Sequence, residues 1–173
     1  MGSSAASRIL ALVLAVGVVA LDRWSKWLIE TRLQLYDTVS VIPGFFNIVR
    51  SENPGVAFGI LADGSSSGRT AILVAMSLAA IAVLAVMLWK IGHQDRWTTV
   101  GISLIFGGAI GNVYDRIIAG KVTDFLDFYA GDWHWYTFNV ADSAICVGAA
   151  LLALSSLLMK RHREANAWPD AGA

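Results

Sequence analysis

The chain has 173 residues, of which 56% are hydrophobic and only 15% charged, and its mean hydropathy is +0.59. Soluble domains carry roughly 45–50% apolar and ~25% charged residues, so this composition points to a membrane protein. Zero formal net charge and scattered basic residues exclude the footprint of a nucleic-acid binder, and a single cysteine, Cys146, excludes both a disulfide framework and a cysteine-based metal site.

Residues 1–7 are small and polar and read as a disordered tail, and the opening Met-Gly lacks the hydroxyl residue at position 6 that myristoylation needs. Apolar sequence then runs from Ile9 to Leu21 behind Arg8, a pattern shared with cleavable signal peptides. The continuation favours a retained helix over about 8–29. Asp22 and Lys26 stand at i,i+4 on one face, and Trp24 and Trp27 suit a membrane–water interface.

Between 31 and 69 no segment reaches the ~20 apolar residues needed to span a bilayer. Instead, Thr38 to Ile42 and Phe45 to Val49 are rich in β-branched and aromatic residues and flank Pro43-Gly44, which suits the centre of a type II turn. A turn at Ser51 to Gly55 leads into a short apolar piece ending near Leu61, and Asp63 to Gly68 reads as a flexible tether. Further spans are predicted over about 70–89, 97–118 and 139–159, with a polar turn from Lys90 to Arg96. Gly107 and Gly111 have the small-xxx-small spacing of close helix packing. Gly120 to Asp142 is a short polar and aromatic connection carrying Asp124, Asp127, Asp132 and Asp142.

Four spans put both termini on one side. The terminal segments and the second connection hold Arg8, Lys90, Arg96, Lys160, Arg161 and Arg163 against Asp95, Glu164 and Asp170, so the positive-inside rule makes that side cytoplasmic. The expected fold is an all-α integral membrane protein, a single four-helix domain over 1–173. It carries a small extracytoplasmic β-hairpin or cradle and a short amphipathic helix within the insertion 31–69. Asp22, Lys26, Asn53, Asn112, Asp115, Arg116, Asp124 and Asp142 then converge on the outer face.

A carboxylate where water is scarce must be paired, protonated or used. If Asp124 and Asp142 lie within hydrogen-bond reach they cannot both ionise cheaply, so one proton is shared and the pair can activate water. Asn139 reads as the N-cap of the last helix and Asp142 as its N3 residue, which favours the anion on Asp142 and the proton on Asp124. The plainer reading has Asp142 only capping and Asp124 paired with Arg116 or Lys121. A small four-span proton- or ion-coupled transporter is the alternative function; it requires acids spread through the membrane depth. His93, His134 and His162 show no metal-ligand spacing.

Asp22-x-x-x-Lys26, Asn53-x-Gly55-x-Ala57-Phe58, Gly111-Asn112-x-x-Asp115-Arg116, Gly120-x-Val122-x-Asp124-Phe125 and Phe138-Asn139-x-Ala141-Asp142-Ser143 together resemble the motif set of the bacterial lipoprotein signal peptidases, or signal peptidase II. The resemblance implies an inner-membrane aspartic endopeptidase that cuts diacylglyceryl-modified prolipoproteins before the lipidated cysteine, without metal or cofactor, and is inhibited by globomycin. It places the dyad on Asp124 and Asp142 and substrate contacts on Asn53, Asn112, Arg116 and Asn139. Asp22, Lys26, Gly55 and Asp115 take supporting roles. Pro54 departs from the family pattern and implies a stiffer turn beside Asn53.

Overall fold

The computed structural model describes residues 2–55, 66–90 and 96–166. Its elements in order are α1 (Gly2–Arg32), β1 (Thr38–Ile42), β2 (Phe46–Asn53), α2 (Ser66–Trp89), α3 (Arg96–Ala119), β3 (Val122–Ala130), β4 (Trp133–His134) and α4 (Val140–Asn166). All four helices are long and apolar enough to cross a membrane; the predicted spans at 8–29, 70–89 and 97–118 fall within α1, α2 and α3, and the one at 139–159 begins one residue ahead of α4. The short amphipathic helix, the piece ending near Leu61 and most of the predicted turn after Lys90 lie outside the described residues.

Helix α3 is central and packs against α1, α2 and α4. Glycines make this possible. A Cβ added to Gly107 would stand 2.8 Å from the Ala15 carbonyl of α1, and one on Gly108 would strike the Ala141 carbonyl of α4. Farther along, Gly101 and Gly148 face each other's carbonyl oxygens at 2.9 and 2.6 Å from such a Cβ. Without a hydrophobic effect between helices in lipid, this close backbone approach is what drives association.

The extramembrane part is larger than the expected hairpin. The turn at Pro43-Gly44 forms as predicted, with Gly44 at φ +81° and the Phe45 amide donating to the Ile42 carbonyl at 3.0 Å. The hairpin, however, pairs with β3 to give a four-stranded antiparallel sheet in the order β1-β2-β3-β4. The segment after Gly120, expected as a connection, is therefore mostly strand. Phe46 and Phe128 pack at 4.7 Å between ring centroids and Phe128 stacks on Phe138 at 5.9 Å, which fastens the hairpin to this strand. Three further boundaries differ from expectation. Residues 2–7 continue α1, because no proline interrupts the Ala- and Ser-containing lead; β2 runs to Asn53, so the turn begins at Pro54, three residues later than expected; and 66–68 open α2 instead of completing a tether.

Candidate active site

The site forms where the sheet-side ends of α1, α3 and α4 meet β2 and β3. Its floor is a buried ion cluster. Asp22 and Lys26, both 0% exposed, pair at 2.8 Å as their i,i+4 spacing predicts. The Lys26 ammonium also reaches Asp115 Oδ2 at 2.6 Å and donates to Asn112 Oδ1 at 3.3 Å. Arg23 closes the cluster by pairing with the other oxygen of Asp115 while lying 4.7 Å over the Tyr114 ring. Two acids thus meet two cations, which is what makes burial of Asp22, Lys26 and Asp115 beside the part-exposed Arg23 tolerable. Asp22 also anchors the last helix, since its Oδ1 accepts from the amide of Ala141 at 3.0 Å and so satisfies a free N–H in the first turn of α4. Only glycine at 111 admits this carboxylate, because a Cβ there would lie 2.7 Å from Asp22 Oδ2.

Asn112 carries order from the cluster to Asp142. Because its Oδ1 faces a group that can only donate, its Nδ2 must point the other way, and it donates to Asp142 Oδ1 at 2.7 Å. Asn139 and Asp142 cap α4 reciprocally: the Asp142 amide donates to Asn139 Oδ1 at 3.0 Å and the Asn139 amide to Asp142 Oδ2 at 3.2 Å. With its oxygen so used, Asn139 turns Nδ2 to Asp124 Oδ1 at 2.7 Å. The other oxygen of Asp124 accepts from Asn53 Nδ2 at 3.1 Å. Asn53 is fixed in turn by the Gly55 amide, which donates to its Oδ1 at 2.8 Å across a turn in which Gly55 adopts φ +87°.

The two carboxyls differ in surroundings. Asp142 is half-buried at the N-terminus of α4, whereas Asp124 on β3 is 3% exposed. Burial pushes the Asp124 carboxyl up to about 6, Asp142 adds to the rise, and the bonds from Asn53 and Asn139 and the charge on Lys26 oppose it.

The structure therefore brings together Asp22, Lys26, Asn53, Gly55, Asn112, Asp115, Asp124, Asn139 and Asp142. Lys121 pairs with Glu52, not with Asp124. Arg116 donates to its own Asn112 carbonyl at 3.3 Å, and its Nε is buried without a hydrogen-bond partner among the described residues. Its side chain lines a cavity of about 600 Å³ with Thr70, Ala71, Val74 and Gly120. Arg23 escaped the sequence reading although it directly follows Asp22. Also missed was a second polar chain on the sheet, in which Asn47 donates to Asp127 at 2.9 Å and His134 Nδ1 meets the same carboxylate at 2.9 Å.

A family model described as signal peptidase (SPase) II matches residues 14–158. A lipoprotein signal peptidase of Solibacter usitatus is 58% identical over 145 residues, covering 84% of this chain and 88% of that one. One of Geobacter metallireducens is 43% identical over 156 residues, covering 90% and 94%. Among solved structures, two bacterial membrane enzymes determined by the in meso method superpose with TM-scores of 0.75 and 0.78. The first is 32% identical and covers 86% of this chain and 92% of that chain. The second is 31% identical and covers 95% and 94%.

Proposed function

The chain belongs to the signal peptidase II family, and from that premise we propose that it removes the signal peptide from diacylglyceryl-modified prolipoproteins, cleaving before the lipidated cysteine with water activated between Asp124 and Asp142. It is a multi-pass peptidase of a bacterial membrane. The observation that carries the finer reading is a shared asparagine: Asn139 donates to Asp124 and accepts from the amide of Asp142, so one side chain orients both acids.

In this mechanism Asp142 is the base. Donors from Asn112 and the Asn139 amide, together with the N-terminus of α4, favour negative charge on it. Asp124 is the acid, because burial raises its carboxyl to about 6 and favours the protonated form. Water adds to the scissile carbonyl, passing one proton to Asp142, while Asp124 gives its proton to the carbonyl oxygen. Collapse of the tetrahedral intermediate returns the hydroxyl proton to Asp124 and delivers the Asp142 proton to the leaving nitrogen. Asn53, Asn112, Arg116 and Asn139 contact the substrate backbone. The cavity beside Arg116, between α2 and α3, takes the lipid-embedded part of the substrate. Both termini are cytoplasmic, the acids face the outside, and a globomycin-type cyclic peptide occupies the same site.

The test is to incubate the purified protein in detergent with a prolipoprotein carrying or lacking diacylglyceryl. Cleavage of the lipidated form alone, with the fragment ending one residue before cysteine by mass spectrometry, is expected. Intact lipidated substrate, or cleavage elsewhere, would overturn the reading.

A further inference from the structure

Strands β2 and β3 do not keep one register. Phe46, Asn47 and Ile48 face Phe128, Asp127 and Leu126, whereas Ser51, Glu52 and Asn53 face Asp124, Thr123 and Val122. Between the two sets, Val49 and Arg50 stand against the single residue Phe125, which is a β-bulge. Direct partners in an antiparallel pair share a face, and so do residues two apart on one strand. Asn53 therefore lies on the face of Asp124, and its amide reaches that carboxylate. Had the register of Phe46 to Ile48 continued, Arg50 would stand opposite Asp124 and Glu52 opposite Val122. Asn53 would then point to the far face.

Something must hold the extra residue, and Arg50 is tied down through both its guanidinium and its backbone. Its Nη1 donates to the Leu33 carbonyl at 2.8 Å and the Glu30 carbonyl at 3.1 Å, acceptors that the end of α1 leaves free. Its amide donates to the Asp37 carbonyl at 3.0 Å, and its own carbonyl accepts from the Tyr36 amide at 2.8 Å. Tyr36 adopts φ +69°, a conformation that a side-chain-bearing residue enters only at a cost. The chain thus accepts local strain where α1 folds back over the bulge.

We propose that Arg50 is a positioning residue for hydrolysis: by tying the bulge at Val49 and Arg50 to the last carbonyls of α1, it turns Asn53 onto the face of Asp124. This rests on the assignment of Asp124 to the reaction. Arg50 touches neither acid and acts only through Asn53.

Two readouts test it. The first is register, read by disulfide cross-linking without reference to activity, in a Cys146→Ser background. Direct partners lie within disulfide reach, so Glu52→Cys with Thr123→Cys should cross-link when Arg50 is present. With Arg50→Gln that yield should fall and Ser51→Cys with Thr123→Cys should cross-link in its place, while Arg50→Lys, which still donates to the α1 carbonyls, keeps the parental pattern. The second is a double-mutant cycle on lipidated prolipoprotein. Arg50→Gln should lower kcat roughly tenfold to a hundredfold, Arg50→Lys should recover most of it, and Arg50→Gln should add nothing to Asn53→Ala. An unchanged cross-link, an unchanged rate or additive losses would each overturn the proposal. A parent protein that cleaves no lipidated substrate would instead sink the functional reading, and cross-linking would still judge the bulge.

Discussion

Replacing Asp124 by asparagine should slow cleavage severely and, at neutral pH, remove a burden on the fold. Burial raises the Asp124 carboxyl from 3.8 to about 6. At ~1.4 kcal/mol per tenfold, ionising it in place costs the folded state about 3 kcal/mol. The sign follows from the direction: a carboxyl raised on folding stabilises fully below about pH 4 and loses that contribution as pH rises through 6. Asparagine carries no such charge. It does lose one hydrogen bond, because both Asp124 oxygens accept from side-chain amides and its own NH₂ must face one of them, at a cost of roughly 1–3 kcal/mol at any pH. The pH-dependent part is therefore the clean quantity. Denaturation of the parent and Asp124→Asn in detergent, followed from pH 3 to pH 7, should show the stability difference moving by about 3 kcal/mol in favour of the variant. A difference that stays constant across that range would refute the reasoning, since Asp124 would then titrate as it does in the unfolded chain.

The alkaline limb of kcat/KM should fall near pH 6 as Asp124 loses its proton, and Asn53→Ala, which removes a bond that lowers this carboxyl, should move the limb to higher pH; a pH–rate profile checks both. Lys26→Met leaves Asp22 and Asp115 buried without their shared cation and should cost about 3–5 kcal/mol, visible as poor recovery of folded protein or a large drop in Tm. Gly111→Ala sets a methyl group 2.7 Å from Asp22 Oδ2 and should cost about 1–3 kcal/mol with loss of activity, read by thermal unfolding and cleavage rate.

What could be read before folding was whatever depends on near neighbours in the chain. Four apolar runs gave four helices, i,i+4 spacing gave the Asp22–Lys26 pair, the Asn139–Asp142 spacing gave the cap, and Pro43-Gly44 gave the turn. What could not be read depends on pairing between distant segments. The aspartates of Val122–Ala130 argue against a strand, yet this segment folds as one because β2, more than sixty residues earlier, offers its edge and its phenylalanines. Arg23 and Arg50 carry no local signal either: the first finds Asp115 on α3, and the second finds the end of α1 only after the hairpin has folded back.

The central claim is that two acids share the work of activating one water. Its most direct test is the single-turnover cleavage rate of Asp124→Asn and of Asp142→Asn, each shown to be folded, on lipidated prolipoprotein in detergent. Each exchange should slow cleavage by on the order of 10²–10⁴. Either variant cleaving at the parental rate would contradict the account.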